Sequence, residues 1–172
     1  ENQLNINSIE VPSEITNDTY FYTYNGNEFW ISSLIGLYKI NTQKELPHFQ
    51  QIKTPHPINN IIHNNNSIIG SDNLLQLTET KQQSSSRIQN FNKIIHNQLG
   101  FDFTESSYCL LMGSNHSLFI GTIDKGLIEI DSNNHIHYLT SSLSGFNRTC
   151  MAVTEGDSGN IYCAGYNQIN KI

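Results

Sequence analysis

Two histidines, His135 and His137, come closest in type and spacing to a metal-binding pair. Alternate residues of a β-strand point to the same side, so both imidazoles would face one way and could in principle bind zinc. A zinc site takes three or four protein ligands, and the neighbouring sequence offers no third one. We therefore predict that both histidines lie on the solvated side of an outer strand, with Ile136 and Tyr138 facing the other way.

The segment Gly156-Asp157-Ser158-Gly159 has the four letters that surround the nucleophilic serine of trypsin-like proteases. Such a serine needs a histidine base and an aspartate that orients it. The chain has no upstream A-A-H-C-like segment that would supply the base. Because the four residues stand between two apolar segments, we interpret them as a hairpin turn.

Cys109, Cys150 and Cys163 stand inside apolar runs without a C-x-x-C spacing, and we predict that they are small buried hydrophobic residues. An odd number of cysteines still leaves room for one disulfide and a free thiol. If their strands prove adjacent, Cys109 and Cys150 are the pair to test for that bond.

Composition limits the class of partner. The chain has 172 residues and a formal net charge of −6, with nine Lys plus Arg against fifteen Asp plus Glu. Nucleic-acid binding needs a basic surface that displaces counterions from phosphates, so this balance argues against it. A length of 172 residues is ordinary for one domain with a real core.

The elements that must position these residues are short strands. Weaker copies of segment 116–131 recur at intervals of roughly 40 residues, and each copy alternates apolar strands with turns rich in Gly and Asn. Asn25-Gly26 is the strongest hairpin signal. Segment 87–99 is compatible with a helix, because Ile88 and Phe91 begin a helical spacing, and equally with a strand and a long loop. Since helical periodicity is otherwise nearly absent, we predict an all-β fold.

The best copy, NHSLFIGTIDKGLIEID, resembles the propeller repeat of two-component regulators, D-x-x-G-N-[LI]-W-I-G-T-x-x-G-L-x-x-[FI]-D. Its Ile120-Gly121-Thr122 matches I-G-T, Gly126-Leu127 matches G-L, and Asp131 closes the motif. The copy around Trp30 has Ser32-Ser33 where G-T is expected. Trp30 itself stands at a core position of the motif, which favours packing in the core over stacking on a sugar.

This resemblance implies β-propeller blades, each a four-stranded antiparallel sheet, about four in number. We expect them to be a segment of a larger propeller, although a small closed ring would also fit. The approximate blades are residues 13–54, 58–100, 106–142 and 147–172, with 1–12 as a lone outer strand.

By the same resemblance, the chain would be a non-catalytic periplasmic sensor segment of a hybrid two-component system in Bacteroides-like bacteria. It would respond to a glycan-derived ligand such as an oligosaccharide, and a kinase elsewhere in the protein would read the response. The expected partners are the remaining blades or domains and a second copy in a homodimer, and no cofactor is expected. The alternatives are a binding or scaffold propeller of a surface or secreted protein, and a propeller lyase or glycosidase.

Propellers expose two sets of loops on one face, those joining the second strand of a blade to the third and those entering the next blade. Such loops are free to vary and are the default ligand site. Phe146-Asn147-Arg148 combines an apolar plane, an amide and a cation, which could engage a sugar and a carboxylate. The candidate ligand-binding residues are Asn59, Tyr108, Asp124, Lys125, Phe146, Asn147 and Arg148.

Overall fold

The structure, a computed structural model, describes residues 19–25, 28–33, 36–41, 49–54, 58, 60–64, 67–71, 77–79, 86–99, 107–139 and 148–172. The predicted lone strand within residues 1–12 lies outside these ranges. The described residues form four antiparallel sheets of three or four strands and one helix, so the fold is mostly β.

The first sheet contains four strands that follow one another in space as they do in sequence. Asn25 pairs with Glu28 across the first connection, where the Asn-Gly signal predicted a hairpin. The strands are β1 (Thr19–Asn25), β2 (Glu28–Ser33), β3 (Gly36–Asn41) and β4 (Phe49–Ile52).

The second sheet has three strands, β5 (Asn60–Asn64), β6 (Ser67–Ser71) and β7 (Leu77–Glu79), and the helix α1 (Ser86–Gln98) follows them. Of the two interpretations of segment 87–99, the helix is correct and the strand is wrong.

Helix α1 is stabilised by its apolar side. Ile88, Phe91 and Ile95 recur at helical spacing and are almost completely buried. They pack against Ile120 and Ile128 of the third sheet. A strand would have divided these side chains between two faces, whereas a helix turns them all toward one apolar surface. Among the described residues, no helix is long and apolar enough to span a membrane.

The third and fourth sheets contain the best-formed repeat copies. The third sheet contains β8 (Ser107–Met112), β9 (Leu118–Thr122), β10 (Leu127–Ile130) and β11 (Ile136–Tyr138). The fourth contains β12 (Ala152–Glu155), β13 (Ile161–Ala164) and β14 (Ile169–Lys171).

Neighbouring sheets pack face to face through apolar cores. Trp30 and Leu37 of the first sheet contact Ile58 and Ile61, and Phe119 of the third sheet packs with a cluster that includes Ile161 of the fourth. The first strands of successive sheets are also neighbours, β1 beside β5, β5 beside β8 and β8 beside β12. The four sheets are therefore arranged in sequence order around their first strands.

Three tight turns share one backbone pattern. In each, the first residue's N–H donates to the carbonyl four residues on, and its carbonyl accepts from the N–H three residues on. The fourth position has a positive φ, +67° at His116, +70° at Asn134 and +75° at Gly159. Glycine takes this conformation most readily, which accounts for the glycine in the repeat's D-x-x-G turn.

Candidate functional site

One end of the third sheet brings together two loops that are far apart in sequence. The first is the β9–β10 turn, Thr122 to Gly126, and the second is the segment entering the fourth sheet, Arg148 to Cys150. We call this pair the turn-and-crossover surface. Three hydrogen bonds join its two parts, Gly126 N to Arg148 O at 2.5 Å, Thr149 Oγ1 to Ile123 O at 2.7 Å, and Cys150 N to Thr122 O at 2.9 Å.

Thr122, the threonine of the I-G-T motif, fixes the shape of the turn. Its hydroxyl donates to Gly126 O at 3.0 Å and accepts from Lys125 N at 3.0 Å. Its backbone N–H also donates to Gly126 O, at 2.8 Å. Gly126 has φ +70°, a left-handed conformation that favours glycine. The motif residues of this repeat thus build a rigid turn between two buried strands.

The turn-and-crossover surface presents both signs of charge. Asp124 and Arg148 are exposed, and Lys125 between them in sequence is half-buried. A guanidinium can donate two parallel hydrogen bonds to a carboxylate, and a carboxylate accepts hydrogen bonds from hydroxyl groups. The surface can therefore recognise a ligand that carries both hydroxyls and an acid.

The structure places Asp124, Lys125 and Arg148 together, although the sequence assigned them to different loop classes. Tyr108 lies in β8 beside Ser107, which pairs with Thr122, so its backbone is at the same end of the sheet. Asn59, Phe146 and Asn147 lie outside the described residues. The sequence analysis did not select Thr122 or Thr149 as site residues, although both are buried polar side chains that hold the loops in place.

The opposite end of the third sheet carries Asp131 and the two histidines. Asp131 Oδ1 accepts from the backbone N–H groups of Asn133 and His135, at 2.8 Å each. Its Oδ2 lies 3.3 Å from His135 Nδ1 and 3.2 Å from His137 Nε2. These contacts, the His135 N–H first among them, hold the pKa of Asp131 at about 2, below its ordinary value of 3.8.

Both histidines are exposed, as predicted for a solvated face. Asp131 contacts both rings, a contact that the sequence analysis did not predict. Within the described part of the chain, however, no group of three or more His, Cys, Asp or Glu side chains has a geometry that could hold a metal ion. The contacts of Asp131 with two backbone N–H groups instead make it the cap of the β10–β11 turn.

The Gly156–Gly159 segment is a turn and Trp30 is a core residue. Gly156 N donates to Asn160 O at 2.9 Å and Gly159 N to Gly156 O at 2.9 Å, with Ser158 exposed at the tip. This confirms the hairpin interpretation of the protease-like letters.

Trp30 is 6% exposed within the core between the first and second sheets, as the repeat motif indicated.

The three cysteines lie in the core between the third and fourth sheets. Cys150 and Cys163 are buried, and Cys109 is half-buried. Their thiols are free, and they contact one another with Cys150 in the middle. The predicted hydrophobic environment of the cysteines is confirmed.

Comparison with known proteins gives a match by structure alone, since no protein-family profile and no curated protein matches the chain. The fold is similar to the extracellular domain of the hybrid two-component system BT4673 from B. thetaiotaomicron, with a TM-score of 0.63 and 15% identity over 96% of this chain and 21% of that one. The equivalent domain of the hybrid two-component system BT3049 gives a TM-score of 0.50 at 16% identity, covering 84% of this chain and 18% of that one.

A third structure, described as the extracellular domain of a one-component system BT4673 of the same organism, gives a TM-score of 0.50 at 13% identity, covering 95% of this chain and 28% of that one. The chain thus has the fold of part of these extracellular domains, and the resemblance indicated by the repeat motif is confirmed at the level of the fold. The chain spans only 18% to 28% of the length of these structures.

Proposed function

We propose that this chain is part of the extracellular sensor region of a hybrid two-component system and that its four sheets are propeller blades. The sequence-ordered packing of the sheets around β1, β5, β8 and β12 supports this, because the first strands of propeller blades line a central axis. The similar structures support the sensor role and an extracellular or periplasmic location.

The ligand site is the turn-and-crossover surface. The observation that carries this assignment is the hydrogen bonding of the Arg148 segment to the β9–β10 turn, which holds the exposed groups of Asp124 and Arg148 on one rigid frame. A preorganised frame loses little conformational entropy when a ligand binds. In the third sheet the opposite end is occupied by turn caps, which leaves this end for recognition.

The ligand is a glycan-derived oligosaccharide, and one with a carboxylate fits best. Arg148 binds the carboxylate, and Asp124 accepts hydrogen bonds from sugar hydroxyls. The segment is non-catalytic. Ligand binding favours one of the conformations of the sensor region, and a kinase outside this chain responds to that shift.

The remaining blades of the longer protein are the partner of the fourth sheet. Ala152, Ala164 and Ile169 are register partners on one row of that sheet, and Ile169 is 74% exposed. On the third sheet, the side chain of Phe119 is only 2% exposed because the fourth sheet covers it. A further sheet of the same chain would cover Ile169 in the same way.

Substitution of Ile169 by Asn tests this packing in the native chain that contains these 172 residues. Loss of a fully buried isoleucine should lower the free energy of unfolding by about 2 kcal/mol. A loss below about 0.5 kcal/mol, typical of an exposed position, would show that no sheet covers it.

A thermal-shift screen of the native sensor region against acidic and neutral oligosaccharides tests the sensing role. A ligand that binds the folded state alone raises the melting temperature as its concentration exceeds Kd. Turnover of any of these glycans would instead support the propeller lyase or glycosidase. No shift with any glycan would refute glycan sensing.

A further inference from the structure

The core between the third and fourth sheets contains a chain of three sulfur atoms. Cys163 Sγ lies 2.6 Å from Cys150 Sγ, which in turn lies 3.9 Å from Cys109 Sγ. Cys150 and Cys163 are 0% and 2% exposed. A disulfide joins two sulfurs at about 2.05 Å, so the first pair needs to approach by only about half an ångström, while the second pair is far from that distance.

The backbone around the sulfurs is held from both sheets. Cys150 N donates to Thr122 O of the third sheet, and Cys163 pairs with Val153 and Asn170 within the fourth. At Gly121, an added Cβ would collide with Cys109 Sγ and lie 3.0 Å from Cys150 Sγ. The sulfurs of Cys109 and Cys150 therefore fill the space beside the glycine of the I-G-T motif.

We propose that Cys150 and Cys163 form a disulfide in the native protein and that Cys109 remains a half-buried free thiol. The oxidant is an external disulfide, supplied by a small thiol compound or an oxidoreductase. One cysteine thiolate attacks it and releases the first thiol, and the second cysteine then displaces the remaining thiol from the mixed disulfide. Two cysteine thiols are oxidised and one external disulfide is reduced to two thiols, so atoms and electrons balance.

The bond connects the crossover segment to the middle strand of the fourth sheet. Arg148 and Thr149 immediately precede Cys150, so the disulfide would anchor one half of the turn-and-crossover surface. Its formation in the cell rests on the extracellular location proposed above, but the choice of partners depends only on the fold.

Burial affects when the bond forms. Contact with the Cys109 thiol and burial raise the pKa of Cys150 to about 12, and contact with Cys150 raises the pKa of Cys163. Thiolates are the reactive species in disulfide exchange, so the folded, reduced protein reacts slowly. Oxidation therefore takes place while the chain folds.

Peptide mapping tests the partner choice. The native chain is refolded from denaturant in a glutathione redox buffer, its remaining thiols are alkylated under denaturing conditions, and it is digested with trypsin without reduction. Cleavage after Lys93, Lys125, Arg148 and Lys171 leaves Cys109 in peptide 94–125 and both other cysteines in peptide 149–171. We expect an unalkylated peptide 149–171 that is two hydrogen atoms lighter, and a peptide 94–125 with one alkyl group.

A cross-link between the two peptides would show that Cys109 is a partner, and alkylation of all three cysteines would show that no bond forms. Either result overturns the proposal, and neither depends on the protein's location. Cys109→Ala is the matched control, since it should leave peptide 149–171 unchanged, whereas Cys163→Ala should abolish its mass loss. Because the unsubstituted chain already decides between the outcomes, the test survives if a variant fails to fold.

Discussion

Thr122→Val is the substitution that isolates what holds the β9–β10 turn in shape. Valine has nearly the same volume as threonine, so the fully buried side chain keeps its packing and loses only its hydroxyl. The Thr122 hydroxyl makes two hydrogen bonds, to Gly126 O and from Lys125 N. Gly126 O still accepts from the Thr122 N–H, whereas the Lys125 N–H loses its bond to this hydroxyl.

The expected loss follows from these two bonds. Each hydrogen bond contributes about 1 kcal/mol, so Thr122→Val should lower the free energy of unfolding by about 2–3 kcal/mol, the Lys125 donor adding to the loss. For a chain of this length, that corresponds to a fall in melting temperature of roughly 4–12 °C. Urea unfolding can be followed by fluorescence of Trp30, the only tryptophan, with circular dichroism as a second probe.

Two further variants separate the hydroxyl from the methyl group. Thr122→Ser keeps both hydrogen bonds and loses one buried methyl, at a cost of about 1 kcal/mol. Ser158→Ala removes a hydroxyl from the exposed tip of the Gly156–Gly159 turn and should cost less than about 0.5 kcal/mol. If Thr122→Ser destabilised the protein as much as Thr122→Val, the hydroxyl would not be what holds the turn.

Two other substitutions test the turns. His116→Gly should raise the free energy of unfolding by about 1 kcal/mol, because φ is +67° at His116. Asn134→Gly should raise it by less, because asparagine tolerates this conformation. A loss of stability of His116→Gly in urea unfolding would contradict the turn assignment. Asp131→Asn should be less stable than the parent protein above pH 4. The difference should shrink as pH falls toward 2, since the depressed pKa of Asp131 means that its carboxylate contribution is lost over that interval. A difference that stays constant from pH 6 to 2 in thermal unfolding would show that the Asp131 charge does not stabilise the turn.

Much of the fold could be predicted because the repeat combines apolar alternation with turn residues. The third and fourth sheets follow the motif closely, and the residues of positive φ in their turns are glycine or asparagine except at His116. The helix could not be decided from its own residues, because the periodicity of segment 87–99 is loose and a strand followed by a long loop was equally compatible with it. What selects the helix is the apolar face of the third sheet, a surface that forms only in the tertiary structure.

The candidate site could be predicted only in part. Loop positions in the repeat placed Asp124, Lys125 and Arg148 among the candidates, but their meeting at one end depends on the hydrogen bonds between the turn and the crossover. The sequence favoured Cys109 and Cys150 as the disulfide pair to test, whereas the shorter sulfur separation is between Cys150 and Cys163. Which loops meet and which cysteines lie close together is decided by contacts between strands that are distant in sequence.

The most direct test of the proposed sensor site is calorimetric titration of the native sensor region with an oligosaccharide identified by the thermal-shift screen. Arg148→Ala and Asp124→Ala should each weaken binding about 10- to 100-fold, the effect of losing a charge-assisted hydrogen bond. Lys93→Ala and Asp157→Ala remove the same charges from exposed positions outside this surface, on helix α1 and on the Gly156–Gly159 turn, and should leave Kd unchanged. Equal affinities in all four variants would contradict a ligand site on the turn-and-crossover surface.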